Sequence, residues 1–108
     1  MPSHITHYHD HTGTSPAKFF KSTLFQGDFL MLGLNCLEPG QTQPIHEHAD
    51  QDKFYLVLEG TGTFTVDTVE HEATAGHVVW APAGAPHGVR NTGAERMVVL
   101  VGMAPPPK

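Results

Sequence analysis

Hydrophobic and polar residues alternate along most of this chain, and the short apolar runs end at glycine, proline, asparagine or aspartate. A period of two with turn residues at each boundary is typical of β-strands. No segment shows the apolar repeat of a convincing amphipathic helix. We therefore predict strands at residues 18–25, 28–37, 45–48, 53–59, 62–67, 77–81, 87–90 and 96–103.

Many short strands joined by tight turns predict an all-β, antiparallel domain, built as a sandwich or a barrel. Gln26-Gly27 and Asp67-Thr68 have the composition of hairpin turns. Residues 1–16 and 105–108 lack core-forming alternation. We expect an N-terminal arm over 1–16, a β-domain over 17–104 and a C-terminal tail over 105–108.

One predicted strand is apolar on both of its faces, because every residue from Phe54 to Leu58 is hydrophobic. The inward set can fill the core, but the outward set needs a cover. A second sheet layer, the N-terminal arm or another subunit would provide it. We favour a homodimer, since two-fold pairing is the commonest form of assembly.

Composition narrows the partners and the location. The chain has 108 residues, which suits one domain, and it carries 11 acidic against 6 basic residues. The basic residues are scattered, so we expect no nucleic-acid partner, and no apolar run approaches the length that spans a membrane. Cys36 is the one cysteine and cannot form an internal disulfide, and the N-terminus does not resemble a signal peptide. We expect a cytoplasmic protein.

Three histidines in two glycine- and proline-rich stretches have the pattern of a metal site. His46 and His48 are two apart on an extended segment, so they project from the same face. His87 follows a turn that can return the chain beside them. Three imidazoles that converge form a ligand set for a divalent metal ion.

The same stretches resemble the motifs of the cupin family. Gly40, His46, His48 and Gly60 fit the first motif, G(X)5HXH(X)3,4E(X)6G. The second motif, G(X)5PXG(X)2H(X)3N, is matched by Gly76, Pro82, Gly84, His87 and Asn91. The resemblance implies an antiparallel β-barrel of jelly-roll type over 17–104, of the small, single-domain kind.

The motif departs from the family at its metal-binding glutamate, where this chain has Lys53. A charged ammonium about 5 Å from a divalent ion would cost about 7 kcal/mol at an effective dielectric near 20. Lys53 therefore points its amine away, or is neutral through a lowered pKa, or leaves the position to oxygen from Gln51 or Asp52. We favour a three-histidine site completed by water.

The resemblance implies a metal-dependent enzyme acting on a small, metal-chelating molecule. Sites without the glutamate are similar to those of three-histidine dioxygenases, and the family also includes isomerases and lyases. The ion would be iron, manganese, zinc, nickel or copper. Lys53 or Tyr55 would serve as the catalytic, proton-handling group. The alternative is a non-catalytic cupin that binds or senses a small ligand.

Other residues have structural interpretations. His4, His7, His9 and His11 form either an accessory metal site or a flexible polar arm. Asn91 is expected to hydrogen-bond at a strand end, and Glu47 to be exposed. We predict core or pocket-wall positions for Phe29, Met31, Trp80, Met97, Met103 and Cys36.

Overall fold

The computed structural model describes residues 3–107, and it is built almost entirely of antiparallel strands. A short 3-10 helix, Tyr8–His11, precedes the strands and has four residues. None of the described helical residues forms a segment long and apolar enough to cross a membrane. The strands are β1 Phe20–Gln26, β2 Met31–Leu37, β3 Thr42–His46, β4 Asp52–Glu59, β5 Thr61–Val66, β6 Val69–Thr74, β7 Val78–Ala81, β8 His87–Arg90 and β9 Met97–Ala104.

The strands form two facing sheets. The five-stranded sheet has the order β1-β2-β9-β4-β7, and the four-stranded sheet has the order β3-β8-β5-β6. Every paired strand is antiparallel. Connections that cross between the two sheets close them into a jelly-roll barrel, so the predicted all-β fold is confirmed.

The core lies between the two sheets, where alternate residues of each strand point inward. Tyr55, Val57 and Val99 from the larger sheet meet Phe64 and Val89 from the smaller one, and all five are buried. This alternation is the period of two that the sequence displays. The inward row on β4 also includes Lys53, which places a cationic side chain at one end of the core.

The predicted strand boundaries need three corrections. β6 was not predicted, because its residues are almost all polar and exposed; only Ala73 is buried on this edge strand. β2 begins at Met31, since Gly27–Leu30 form a turn in which the Gly27 amide donates to the Leu30 carbonyl. β3 spans Thr42–His46 and not 45–48, so His48 lies beyond the strand. The hairpin turn at Asp67 and Thr68 is confirmed, with both residues at positive φ.

Two aromatic residues are not in the core. Trp80 is 56% exposed because Val79 and Ala81 take the inward positions of β7. Phe29 is 85% exposed in the turn between β1 and β2. Trp80 nevertheless lines a pocket together with residues of β6, so only the prediction for Phe29 is wrong. Met97, Met103 and Cys36 are buried, and Met31 lines a pocket.

The N-terminal arm packs on the outer face of the larger sheet. Tyr8 lies against a cluster formed around Leu34, Cys36 and Val98, together with Leu58. The Tyr8 hydroxyl donates to Glu59 Oε2 at 2.8 Å, which fastens the arm to the end of β4. The arm thus covers part of the outward apolar surface of β4. Met1 and Pro2 of the predicted arm and Lys108 of the predicted tail lie outside the described residues.

Candidate metal centre

The three motif histidines converge at one end of the barrel. His46 on β3 pairs directly with His87 on β8, and their ring centroids are 4.4 Å apart. The His48 ring lies 4.8 Å from that of His46 and 5.6 Å from that of His87. One nitrogen from each ring falls within 4.8 Å of the others. This is the spacing of side chains that can share an ion.

Backbone carbonyls set the tautomers of two of these rings. His46 Nδ1 lies 2.8 Å from the Pro44 carbonyl oxygen, and His87 Nδ1 lies 2.9 Å from that of Ala85. A carbonyl oxygen only accepts, so each Nδ1 must carry the proton and donate it. The Nε2 atoms then present lone pairs. A second partner that fixes the tautomer is the usual arrangement of a metal-binding histidine.

His87 Nε2 gives the strongest indication of a ligand. It is a buried atom without a hydrogen-bond partner, and the residue is only 2% exposed. An unpaired buried polar group costs about 1–3 kcal/mol, so such atoms are rare unless something binds to them. Burial lowers the pKa of His87, and the nearby charge of Lys53 acts in the same direction, against the hydrogen bond to Ala85. The neutral imidazole with a free Nε2 fits a divalent ion.

His48 completes the set from a loop position. Burial lowers its pKa, and the neighbouring His46 and Lys53 lower it further. All three causes favour the neutral form that a metal requires. Its position past the end of β3 does not prevent convergence, because the ring still turns toward the other two.

A bulge in β3 orients the site. The pairing with β8 shifts between Gln43 and His46, where Pro44 interrupts the edge strand. A bulge adds a residue to one strand and lets side chains three apart face the same side. Gln43 and His46 therefore both line the pocket. Gln43 was not predicted from the sequence, although Pro44 so close to the first histidine was a signal for a bulge.

Lys53 lies inside the barrel, next to the candidate ligands. The residue is 4% exposed, and Nζ lies 4.9 Å from the centroid of the Tyr55 ring. Burial, together with the positive charge of Lys21, lowers the pKa of Lys53 to about 8. The ammonium is thus desolvated and easily deprotonated. The lowered pKa agrees with one of the three expectations for this residue, but a lysine with a pKa of about 8 is still mostly charged at pH 7 and not neutral.

Tyr55 has its hydroxyl engaged within the protein. The side chain is completely buried, and the hydroxyl donates to Gln43 Oε1 at 2.8 Å. Burial raises the pKa of Tyr55, so it remains a neutral phenol. Its ring centroid lies 6.2 Å from that of His87. Tyr55 borders the site and holds Gln43 in position; its proposed part in proton transfer stays a prediction.

The two side chains considered in place of the glutamate make other hydrogen bonds. Asp52 is exposed and accepts a hydrogen bond from the Ala83 amide at 2.9 Å. The Gln51 side-chain amide donates to the Pro105 carbonyl at 3.0 Å, which ties the C-terminal tail to this end of the barrel. Asp52 does not belong to the group of converging His, Cys, Asp or Glu ligand atoms found among residues 3–107.

A pocket of about 520 Å³ opens onto His46 and His48. Gly33, Val101 and Met103 contribute to its wall from the larger sheet, and Pro107 of the tail contributes at its rim. Lys21 and Asn35 also line it, and neither was predicted from the sequence. The pocket is therefore lined by both polar and apolar side chains, and it has room for a small organic molecule.

The other histidines do not form a second site of this kind. His9 Nε2 lies 3.2 Å from Glu59 Oε2, and His11 Nε2 lies 2.9 Å from Thr6 Oγ1. Within the described part of the chain, only His46, His48 and His87 have ligating atoms close enough together. The arm is a packed segment in which His9 contacts the end of β4 and His11 contacts Thr6.

Two further expectations are confirmed. Asn91 is buried and stabilises the end of β8, since its amide donates to the carbonyls of Leu37 and Glu95 and its oxygen accepts from the Gly93 amide. Glu47 is exposed.

Comparison with known proteins agrees with this geometry. The family model of the cupin domain matches residues 33–103. The structure of the protein TT1209 from Thermus thermophilus superposes with a TM-score of 0.93 at 38% identity, covering 97% of this chain and 100% of that one.

Two curated relatives match over shorter regions. Dimethylsulfoniopropionate lyase DddW from Ruegeria pomeroyi is 41% identical over 59 residues, which are 55% of this chain and 38% of that protein. Auxin-binding protein 1 from Arabidopsis thaliana is 34% identical over 83 residues, 68% of this chain and 41% of that protein. The chain thus spans less than half the length of each. The match to the family model covers most of the barrel and both histidine stretches, and the chain belongs to the cupin family.

Proposed function

We propose that this cupin is a metal-dependent enzyme that acts on a small, metal-chelating molecule. The observation that carries the proposal is His87 Nε2, a buried lone pair without a partner that faces two further imidazoles. His46, His48 and His87 would hold one divalent ion of iron, manganese, zinc, nickel or copper. Bound there, the ion would act as a Lewis acid on an oxygen atom of the substrate.

Lys53 supplies the proton chemistry in this proposal. A pKa of about 8 leaves roughly a tenth of the lysine neutral at pH 7, enough to accept a proton, and the charged form can return one. Its position in the pocket that His46 and His48 also line would bring it close to a bound substrate. Tyr55 acts through Gln43, whose side chain it positions in the pocket wall. The reaction is therefore one that moves a proton.

Proton transfer favours a lyase or an isomerase over a dioxygenase-like oxidoreductase. The relative DddW is named as a lyase, and its matched region covers 55% of this chain. In an elimination, a base removes a proton from one carbon and the leaving group departs from the neighbouring carbon. Lys53 in its neutral form would be such a base. A second candidate is a non-catalytic cupin that binds a small ligand, favoured by the likeness to auxin-binding protein 1.

We also propose a homodimer in the cytoplasm. Trp80 and Val78 are 56% and 66% exposed on the outer face of β7, next to half-buried Phe54 and Leu56 of β4. The arm covers the Leu58 end of this surface and leaves the remainder for a second copy. The buried free thiol of Cys36 suits a reducing compartment.

Elemental analysis tests the proposal. The wild-type protein should contain one divalent ion per chain, and His46→Ala should lose it, while the exposed His71→Ala variant should retain it. Substrate candidates incubated in D2O should gain deuterium or decompose with the loaded wild type, and EDTA or Lys53→Met should abolish this. Wild-type protein without stoichiometric metal, whose ligand binding is indifferent to EDTA, would exclude a metal-dependent enzyme.

A further inference from the structure

The pocket beside the histidines is positively charged in an otherwise acidic protein. The chain has a net charge of −5 and only 6 lysines and arginines, yet two of these, Lys21 and Lys53, line this one pocket. Among the described residues that line it, none is an aspartate or a glutamate. Lys21 is close enough to lower the pKa of Lys53. Two ammonium groups without a carboxylate favour an anionic occupant.

Strand register places a hydrogen-bond donor beside Lys21. Lys21 on β1 pairs with Asn35 on β2, so both side chains lie on the sheet face that lines the pocket. Asn35 is only 6% exposed. Unlike Asn91, which has three hydrogen bonds, the Asn35 amide has none to the part of the protein that the structure describes. The residue is largely buried but its amide atoms remain accessible from the pocket, so the amide is positioned to donate to a ligand.

We propose that the pocket binds an organic acid whose carboxylate is held by the Lys21 ammonium and the Asn35 amide. The ammonium supplies charge, and the amide NH2 supplies a directed donor, which together suit a carboxylate better than a neutral group. A pocket of about 520 Å³ accepts a molecule of a few carbons with a second oxygen group directed to the histidines. The part concerning the histidines rests on the proposed function; the carboxylate contact does not need the ion.

Neither residue is assigned to the chemical step. Lys21 is exposed on the edge strand β1, and its role is to make the pocket prefer a negatively charged ligand over a neutral one. Lys53 lies deeper and is reserved for proton transfer. The two lysines therefore have separable effects: a change at Lys21 should alter the affinity for carboxylates and leave the metal content unchanged.

Calorimetric titration with succinate and with its neutral analogue succinamide tests this inference. At low salt, zinc-loaded wild type should bind succinate at least about tenfold more tightly than succinamide. Lys21→Met should remove about tenfold of the succinate affinity and leave succinamide unchanged. Lys18→Met, which removes an equally exposed lysine outside the pocket, is the matched control and should behave as wild type.

A second variant and a salt series keep the test decisive. Asn35→Leu should also weaken succinate, with an unchanged circular dichroism spectrum confirming its fold. The preference should shrink in about 0.5 M KCl, because the contribution of an exposed lysine is screened. Equal affinities for the two probes, or equal losses in Lys21→Met and Lys18→Met, would overturn the inference.

The same titrations distinguish this inference from the proposed function. One outcome is that metal-free protein prefers succinate in a Lys21-dependent way, and that the same protein does not bind a metal ion when one is added. The metal-dependent function then fails and the carboxylate site stands. If one metal ion binds per chain and succinate shows no preference over succinamide, the carboxylate site fails and the metal centre stands.

Discussion

Replacing Lys53 by methionine should stabilise the metal-free protein at neutral pH. The lysine is 4% exposed and carries its charge into the barrel interior, where its ammonium lies over the ring of Tyr55. Methionine has an unbranched side chain of similar length and no charge. The substitution therefore removes the desolvation cost while largely retaining the packing.

The pKa gives the size of the effect. Folding lowers the pKa of Lys53 from 10.5 to about 8. Each pKa unit corresponds to about 1.4 kcal/mol, so the charged form is destabilised by about 3 kcal/mol in the folded state. This is a large fraction of the roughly 5–15 kcal/mol that is typical of a domain, and it is an upper value because water can reach a displaced ammonium.

The effect has a definite pH dependence. Below pH 8 the lysine is charged in both the folded and the unfolded chain, so wild type bears the whole penalty. Between about pH 8 and 10.5 the unfolded chain holds a proton that the folded chain has lost, and wild-type stability rises relative to the variant. The advantage of Lys53→Met should thus be greatest at pH 7 and should largely disappear by about pH 10.

Urea unfolding of EDTA-treated protein at pH 7 and pH 10 measures both quantities. The difference between variant and wild type cancels the titration of groups that the two proteins share. Lys18→Met, at an exposed position, should differ little from wild type at either pH. A Lys53→Met variant that is less stable at pH 7, or whose advantage is the same at both pH values, would show that Lys53 is not a charged group in the interior.

Three further substitutions examine the ligand set, the arm and the outer face. His87→Phe removes an unpartnered nitrogen and one hydrogen bond, so the unfolding free energy without metal should change by less than about 1 kcal/mol. In scanning calorimetry this variant should lack the rise in Tm of about 12 °C that is expected of wild type with zinc at about a hundred times its Kd, and a retained rise would contradict the site. Tyr8→Phe loses the bond to Glu59 and should lower Tm; an unchanged Tm would show that this contact does not hold the arm. In analytical ultracentrifugation the wild type should sediment as a dimer and Trp80→Lys as a monomer, whereas a monomeric wild type would refute the dimer.

The barrel and the convergence of the three histidines could both be predicted from the sequence, for related reasons. Because one face of each strand is buried, apolar and polar residues alternate in the sequence, and the strands can be recognised from it. The turn residues around His87 bring the chain back at a defined place, and β8 was predicted with its observed bounds. β6 escaped prediction because its polar, exposed residues show no alternation on this edge of the sheet.

The remainder of the site depends on pairing between strands that are distant in sequence. Lys21 and Asn35 meet because of the register between β1 and β2, which a one-residue slip would reverse. The bulge at Pro44 similarly directs Gln43 into the pocket by interrupting the alternation. These positions carry no motif, so only the assembled sheets show that they line the same space as the histidines.

The charge of the site connects Lys53 with the carboxylate inferred for the ligand. In the family motif, the protein's own glutamate offsets part of the charge of the ion; here Lys53 changes that position by two charge units. Three neutral imidazoles offer no compensation, and Lys21 adds another positive charge to the pocket. An anionic ligand would then supply the missing negative charge, so ion and ligand should strengthen each other's binding by the same factor. The affinity for the ion would depend on the substrate class, and a cupin with a lysine at this position would hold its ion most tightly when the organic acid is bound.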